Sequence, residues 1–328
     1  MVAMPKTTLA QPICAIPTLI AIAALISIGF ASPPAGSAAP ASGQRSGFVK
    51  VAAVQIKGYD KCDLPRKGYD PAAAIVSYID RAGKDGAQLV VFPEYVLGHI
   101  RVPGPITERI SAAAAANHIY VIVGSWEDYA DGTYADTALI FDRSGRIAGK
   151  YLKTHAAVDH YEGDPPWSKP PSGKDKDWFL RNDPEWLMKK GDDLPVFDFD
   201  FGKVAIQICY DGWFPEPARV LSLKGAELIV WINGRGMSVE DYILKSVMFQ
   251  SHVAMITTNQ AYGGGTMIGD MATWQPQILA HAPDRQEAYI SATIDLEQVR
   301  KLRESSRNFQ QRRPDIYGEM VNPIRSKY

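Results

Sequence analysis

The spacing of apolar residues predicts strands that alternate with helices along most of the chain. Uninterrupted apolar runs predict buried strands, and apolar residues three to four positions apart predict helices. Asp70 and Pro71 provide the N-cap and the first residue of the first helix. Strands are expected at 48–56, 88–92, 119–124, 203–208, 227–231 and 253–258, helices at 72–82, 107–117, 215–223 and 239–251, and a hairpin at 136–141 and 146–151. This order is typical of an α/β fold.

Two parts of the chain repeat the same order of elements. The segment KDGAQLVV at 84–91 is similar to KGAELIV at 224–230, and each is followed by a helix, a histidine and a further strand. Chance similarity between apolar runs is one explanation. A true repeat would produce two similar sheets that stack face to face, with helices on the outside, within one large domain.

The segment from about 163 to 195 interrupts this alternation. It is polar and rich in proline, and it predicts a long loop inserted in the domain. A loop of this length within a compact domain usually covers a site or is disordered. Residues from about 300 to 328 are expected to form a C-terminal tail.

Residues 1–38 have the order of a secretory signal peptide followed by a linker of small residues. Lys6 precedes an apolar run at 19–30, and small residues and prolines come after it. This order predicts export to the periplasm or the medium, with cleavage after Ala31 or Ala38 and a single domain at 39–328. The alternative is an uncleaved membrane anchor, since the run is close to the lower length limit for a span.

Composition and charge exclude several classes of protein. The 328 residues are 46% hydrophobic and 22% charged, as in ordered globular proteins. A formal net charge of −1 at pH 7 argues against a nucleic-acid partner, which would require a basic surface. No segment after residue 40 is apolar over the length of a bilayer span, so a membrane contact is expected only through an uncleaved N-terminal segment.

Two cysteines, Cys62 and Cys209, would remain in the exported chain. Two cysteines in a chain of this length do not form a disulfide scaffold. Either they pair with each other, or at least one is kept free for a chemical reason.

Three polar residues follow predicted strands, at the carboxyl ends where open α/β sheets place their sites. Glu94 follows strand 88–92, Lys153 follows the hairpin, and Cys209 lies between strand 203–208 and helix 215–223. A carboxylate can transfer protons, and an ammonium can stabilise charge on a carbonyl oxygen. A cysteine between a strand and a helix resembles a nucleophile elbow, where a nearby ammonium favours the thiolate. Taken alone, a solvated glutamate, an exposed lysine and a buried structural cysteine are the alternatives.

The motifs FPE at 92–94, YLKTH at 151–155 and ICYDGWFPE at 208–216 together resemble the nitrilase (carbon–nitrogen hydrolase) superfamily over roughly residues 48–300. The resemblance implies an α/β fold, a four-layer α-β-β-α sandwich with two stacked mixed sheets. It also implies a homodimer or a larger homo-oligomer. Neither a metal nor an organic cofactor is needed in this family.

The resemblance assigns roles to four residues. Glu94 would be the general base and acid, Lys153 the stabiliser of the oxyanion and Cys209 the nucleophile. Many amidases of the family carry a second glutamate shortly after the lysine. Glu162 is the match expected here, and it would position the substrate and the lysine.

Three further residues are expected to contact the substrate or the oxyanion: Tyr210 through its backbone N–H, Trp213 and Asn233. One departure concerns the helix before Asn259, where VMFQ at 247–250 lacks the arginine and glutamate that family members often carry. The residues His155, Asp159, His160 and Glu162 could instead form a metal site, although their position on a loop disfavours this.

The residues after Cys209 indicate which bond is cleaved. True nitrilases tend to have Trp-Glu after the nucleophile, whereas Tyr210-Asp211 is similar to amidases and N-carbamoyl-amine hydrolases. We therefore expect a hydrolase that cleaves a non-peptide C–N bond of a small amide or N-carbamoyl compound through a cysteine thioester, releasing ammonia or an amine. A nitrilase, or a non-catalytic secreted binding protein that retains the fold, is the alternative.

Overall fold

The computed structural model describes residues 47–58, 67–158, 173 and 175–322, and in these residues the strands form two mixed sheets. The strands are β1 (Phe48–Gln55), β2 (Leu89–Val91), β3 (His99–Ile100), β4 (Tyr120–Asp128), β5 (Tyr134–Phe141), β6 (Ile147–Leu152), β7 (Val196–Phe199), β8 (Gly202–Ile208), β9 (Leu228–Ile232), β10 (Ala254–Thr258), β11 (Met267–Asp270), β12 (Gln277–His281) and β13 (Ala288–Asp295).

The two sheets have the same arrangement of strand directions, which confirms the repeat. The first has the order β13-β1-β2-β4-β5-β6, with β3 beside β4, and the second has the order β7-β8-β9-β10-β11-β12. In each, three central strands run parallel and the strands beyond them are antiparallel. His118 and His252 take the same left-handed conformation, with φ of 50° and 48°, just before β4 and β10.

Helices cover the outer faces of the sheets. They are α1 (Pro71–Lys84), α2 (Pro105–Asn117), α3 (Lys176–Asn182), α4 (Pro184–Leu187), α5 (Pro215–Leu223), α6 (Asp241–Ser251) and α7 (Leu296–Ser306), and short 3₁₀ turns lie at Cys209–Trp213, Pro314–Ile316 and Gly318–Met320. The expected N-cap is present, since the Asp70 side chain accepts the Ala73 N–H at 3.0 Å.

The alternation of side chains along each strand separates three apolar cores. Val51 of β1 faces the core between the sheets, together with Val230 of β9 and Ile256 of β10. Ala52 faces the opposite way and packs in the core that contains Ile75 of α1. A third core lies between the second sheet and helices α5, α6 and α7. The expected α-β-β-α sandwich is confirmed.

The inserted segment is not a loop throughout, because its described part contains α3 and α4. Asp183 caps α4, and its side chain accepts the N–H groups of Glu185 and Trp186 at 2.9 and 3.0 Å. Pro184 occupies the first helical position. The same Asp-Pro pair begins α1, but at 183–184 the polar, proline-rich composition of the segment had predicted a loop.

Several predictions concern residues outside the described ranges. The N-terminal segment 1–38, Cys62, Glu162 and two members of the alternative metal cluster, Asp159 and His160, belong to this group. Export, cleavage and self-association stay predictions. Within residues 47–58, 67–158, 173 and 175–322, no helix is both long enough and apolar enough to cross a bilayer. At the other end, α7 continues to Ser306, so the first residues of the expected C-terminal tail, 300–306, are helical.

The turn after β2 lies directly on β4 at Gly124. The Gly124 N–H donates to the Pro93 carbonyl at 3.1 Å, and the Gly124 carbonyl accepts the Leu97 N–H at 3.2 Å. A Cβ atom on Gly124 would lie 2.5 Å from the Pro93 oxygen and 2.6 Å from the Glu94 Cα. Only glycine therefore allows the turn that carries Glu94 to pack against β4.

We expect Gly124→Ala to lower the free energy of unfolding by about 1–3 kcal/mol, because the added methyl group must displace backbone atoms. Urea unfolding followed by circular dichroism measures the difference. Gly318→Ala is the matched control, since no heavy atom lies within 4 Å of a Cβ there, and its stability should stay within about 0.5 kcal/mol of the unsubstituted protein. Equal stability of the two variants would contradict the close approach.

Candidate active site

Lys153 is the centre of a buried cluster of charged side chains. It directly follows β6, and its side chain is completely buried. The Nζ atom donates to Glu94 Oε1 at 2.9 Å and to Glu185 Oε1 at 2.9 Å, and it lies 3.5 Å from Asp136 Oδ2. One ammonium is thus surrounded by three carboxyl groups.

Glu94 lies in the turn after β2 of the first sheet, but its backbone is hydrogen-bonded to residues that follow strands of the second sheet. Its backbone N–H donates to the Asn233 carbonyl at 3.3 Å, and its own carbonyl accepts the Gln260 Nε2 at 3.1 Å. Asn233 directly follows β9, and Gln260 follows β10. The carboxyl ends of the two sheets therefore meet at Glu94, which is buried.

Cys209 has the strained backbone of a nucleophile elbow. It directly follows β8, begins the 3₁₀ turn Cys209–Trp213 and has a φ of 45°, in the left-handed region that non-glycine residues rarely adopt. The Trp231 Nε1 donates to the Cys209 carbonyl at 2.8 Å, which holds this turn against β9. Cys209 is a free cysteine, and the residue as a whole is half-buried.

Asp211 joins the turn of Cys209 to the segment that carries Lys153. Its buried carboxylate accepts the Ile208 N–H at 3.0 Å, the Tyr151 hydroxyl at 2.7 Å, the Thr154 N–H at 3.2 Å and the His155 N–H at 2.8 Å. Burial alone would raise the pKa of Asp211, but the hydrogen bonds from His155 and Tyr151 outweigh it and lower the pKa. This carboxylate therefore stays ionised and sets the distance between the two segments.

The electrostatics of the cluster favour a thiol over a thiolate. Burial raises the pKa of Cys209 well above its usual value, and the negative charge of Glu94 raises it further, whereas Lys153 opposes the shift. From the sequence, a nearby ammonium was expected to favour the thiolate. The structure reverses this expectation, because burial and then the charge of Glu94 outweigh the effect of the Lys153 ammonium.

The same surroundings hold Lys153 in its charged form. Burial alone would lower the pKa of Lys153, but Glu94, and then Cys209, Asp136 and Glu185, raise it well above its usual value. Lys153 is therefore an ammonium at neutral pH.

The three residues expected to contact the substrate or the oxyanion differ in their exposure to solvent. Tyr210 is half-buried, and Trp213 is half exposed, with ring centroids 5.5 Å apart on the 3₁₀ turn. The Asn233 side chain is buried, and its Nδ2 donates to the Trp231 carbonyl and to Thr257 Oγ1, both at 3.1 Å. These contacts support the end of β9, and a role for the Asn233 side chain toward substrate stays a prediction.

Two residues of the cluster were missed by the sequence analysis. Glu185 lies on α4, and its second oxygen, Oε2, accepts the Ala157 N–H at 2.5 Å. The signal that could have found it is the Asp183-Pro184 helix start, which places Glu185 in the first turn of a helix. Asp136 lies within β5, where an aspartate at a core-facing position is unusual.

The helix that departs from the family pattern packs through apolar side chains. Met248 of α6 is completely buried in the core beneath the second sheet, and Val247 packs against the same core. Phe249 points away from it and is half exposed. Two of the four residues at 247–250 therefore contribute to apolar packing.

A family model described as carbon–nitrogen hydrolase matches residues 50–304. An omega-amidase from Xenopus tropicalis is 29% identical over 265 residues, which covers 73% of this chain and 88% of that protein. A nitrilase from Pyrococcus abyssi is 28% identical over 291 residues, covering 82% and 99%. An N-carbamoylputrescine amidase from Arabidopsis thaliana is 27% identical over 239 residues, covering 65% and 72%.

Solved structures share the fold. A carbon–nitrogen hydrolase from Helicobacter pylori superposes with a TM-score of 0.62 and 21% identity, over 84% of this chain and 99% of that one. An amidase from Nesterenkonia, whose active-site cysteine has undergone Michael addition of acrylamide, superposes with a TM-score of 0.59 and 15% identity, over 83% and 99%. Since the family model covers most of the sequence, this chain belongs to the carbon–nitrogen hydrolase family.

Proposed function

We propose that this chain hydrolyses a non-peptide C–N bond of a small amide or N-carbamoyl compound through a thioester on Cys209. The observation that carries the proposal is the buried Lys153 ammonium, hydrogen-bonded to both Glu94 and Glu185 and joined through Asp211 to the turn that carries Cys209. Relatives named as an omega-amidase and an N-carbamoylputrescine amidase support amide and carbamoyl substrates. A relative named as a nitrilase makes nitrile hydrolysis the second candidate.

The first half of the reaction forms the thioester. Because Cys209 rests as a thiol, Glu94 takes the Sγ proton while the sulfur attacks the carbonyl carbon and forms a C–S bond. The negative charge that develops on the carbonyl oxygen is stabilised by the Lys153 ammonium and the Tyr210 backbone N–H. Glu94 then gives the proton to the nitrogen, the C–N bond breaks and ammonia or an amine leaves.

The second half releases the acid. Glu94, again a carboxylate, takes a proton from a water molecule while the water oxygen attacks the thioester carbonyl. Lys153 stabilises the second oxyanion in the same way. The C–S bond breaks, the sulfur regains the proton from Glu94, and the carboxylic or carbamic acid leaves with the enzyme restored.

Glu185 has a different role from Glu94. The charge of Glu94 is neutralised each time it accepts a proton, and its attraction for Lys153 weakens at that moment. Glu185 keeps its hydrogen bond to the same ammonium, and its other oxygen is held by Ala157. It therefore positions Lys153 throughout the reaction, which is also the role that the family resemblance gave to Glu162, a residue outside the described ranges.

An ammonia-release screen over aliphatic amides, N-carbamoyl amines, ureido acids and nitriles tests the function. We expect hydrolysis of at least one amide or carbamoyl compound, and none by Cys209→Ser, because an alcohol is a far weaker nucleophile at this position. Mass spectrometry after rapid quenching should detect an acyl group on Cys209 of the unsubstituted enzyme. Cys62→Ser is the matched control and should remain active. Turnover by Cys209→Ser, or hydrolysis of nitriles alone, would overturn the proposal.

Lys153→Ala should reduce kcat by roughly 10²–10³-fold, because the oxyanion loses its positive partner. Lys150→Ala is the matched control: Lys150 lies on β6, just before Lys153, and pairs with a different carboxylate, Glu127, at 2.7 Å. Steady-state kinetics of both variants, with melting curves to verify folding, give the comparison. A loss of less than tenfold in Lys153→Ala would give this residue a structural role only.

Glu185→Gln should lower kcat by up to roughly 10²-fold through misplacement of Lys153. It should also move the alkaline limb of the kcat–pH profile to lower pH. The sign follows because Glu185 raises the pKa of Lys153, so its removal lets the ammonium lose its proton at a lower pH. Glu319→Gln, at an exposed position, is the control. An unchanged alkaline limb would argue against this role.

A further inference from the structure

Asp136 is a buried carboxyl group that the mechanism above does not use. Along β5 its side chain shares one face with Ala138 and Ile140, which pack in the core between the two sheets. It is completely buried. Neither of its oxygens accepts a hydrogen bond from the described part of the chain, and the nearest cation, the Lys153 Nζ, lies 3.5 Å away.

The charge balance of the cluster shows which carboxyl group carries a proton. Three ionised carboxylates and one ammonium would leave a net charge of −2 in a buried site, which is very costly. The ammonium donates to Glu94 and Glu185 at 2.9 Å, and Asp136 is left without a donor. A proton on Asp136 reduces this net charge to −1 and allows Asp136 to donate a hydrogen bond to the Glu94 carboxylate, with which its carboxyl group interacts.

Most of the surroundings of Asp136 raise its pKa, and only the Lys153 ammonium clearly lowers it. Burial and then the negative charge of Glu94 raise the pKa of Asp136 well above its usual value, and Glu185 adds to this, whereas Lys153 opposes it. An ionised Asp136 would also add to the rise in the pKa values of Tyr151 and Cys209. An ionised Asp136 would therefore make the Cys209 proton harder to remove.

We propose that Asp136 is a positioning residue that is protonated in the resting enzyme and donates a hydrogen bond to the Glu94 carboxylate. This proposal rests on the proposed role of Glu94 as the base. The hydrogen bond holds the Glu94 carboxylate in place, and the neutral state of Asp136 avoids a further negative charge near the sulfur. No bond is made or broken at Asp136 during the reaction.

Two substitutions separate a neutral donor from a carboxylate. Asp136→Asn keeps the shape and a hydrogen-bond donor without a charge, so kcat near neutral pH should stay close to that of the unsubstituted enzyme. Asp136→Ala removes the donor, and kcat should fall by roughly 10- to 100-fold, the contribution of one hydrogen bond to a charged group, with little change in KM.

Infrared spectroscopy tests the protonation state without turnover. The unsubstituted enzyme at neutral pH should show the carbonyl band of a protonated carboxylic acid, and Asp136→Asn should lack it. Asp131→Asn, which replaces an exposed aspartate paired with Lys189, is the matched control and should keep the band. The rate of Cys209 alkylation by iodoacetamide should be unchanged in Asp136→Asn and slower in Asp136→Ala, with melting curves to verify folding.

The infrared and alkylation measurements test the role of Asp136 independently of whether the chain hydrolyses a C–N bond. If no compound is hydrolysed, the infrared band and the alkylation rates still decide the state and role of Asp136. Absence of the acid band, or a loss in Asp136→Asn as large as that in Asp136→Ala, would show that Asp136 acts as a carboxylate. Alkylation and kcat in Asp136→Ala equal to those of the unsubstituted enzyme would exclude a positioning role.

Discussion

The burial of a single ammonium is the constraint on which the rest of the site depends. Lys153 has no exposed surface, so its charge must be balanced within the protein. The balance comes from Glu94 at the end of β2, Asp136 within β5 and Glu185 on α4, and these are far apart along the chain. The site therefore exists only when the sheets and the inserted segment are folded together.

A further carboxylate, that of Asp211, holds the Lys153 segment next to the turn that carries Cys209. Asp211 accepts hydrogen bonds from the backbone before Cys209 and from the segment after Lys153, so a shift of either segment would break several hydrogen bonds together. The strained φ of Cys209 and the hydrogen bond from Trp231 belong to the same turn. Buried polar networks of this kind are rigid when every member is satisfied.

Burial and the neighbouring carboxyl groups also determine the protonation state from which Cys209 must react. A cysteine beside one isolated ammonium would be expected to ionise, whereas here burial and Glu94 keep the Cys209 proton in place. The proton has to be taken by a base at the moment of attack, and this requirement gives Glu94 its place in the proposed mechanism. The excess of carboxyl groups over the single ammonium leaves one of them, Asp136, to be stabilised by a proton of its own.

The sequence alone determined the two stacked sheets and the positions of Glu94, Lys153 and Cys209 at strand ends, because apolar spacing, the internal repeat and the three motifs are local patterns. Tertiary structure decided that Glu185 and Asp136 complete the cluster. Glu185 lies in a segment whose composition predicts a loop, and Asp136 lies among ordinary strand residues. The state of the sulfur was likewise decided by folding, since a pKa depends on burial and on charges that only the folded chain brings together.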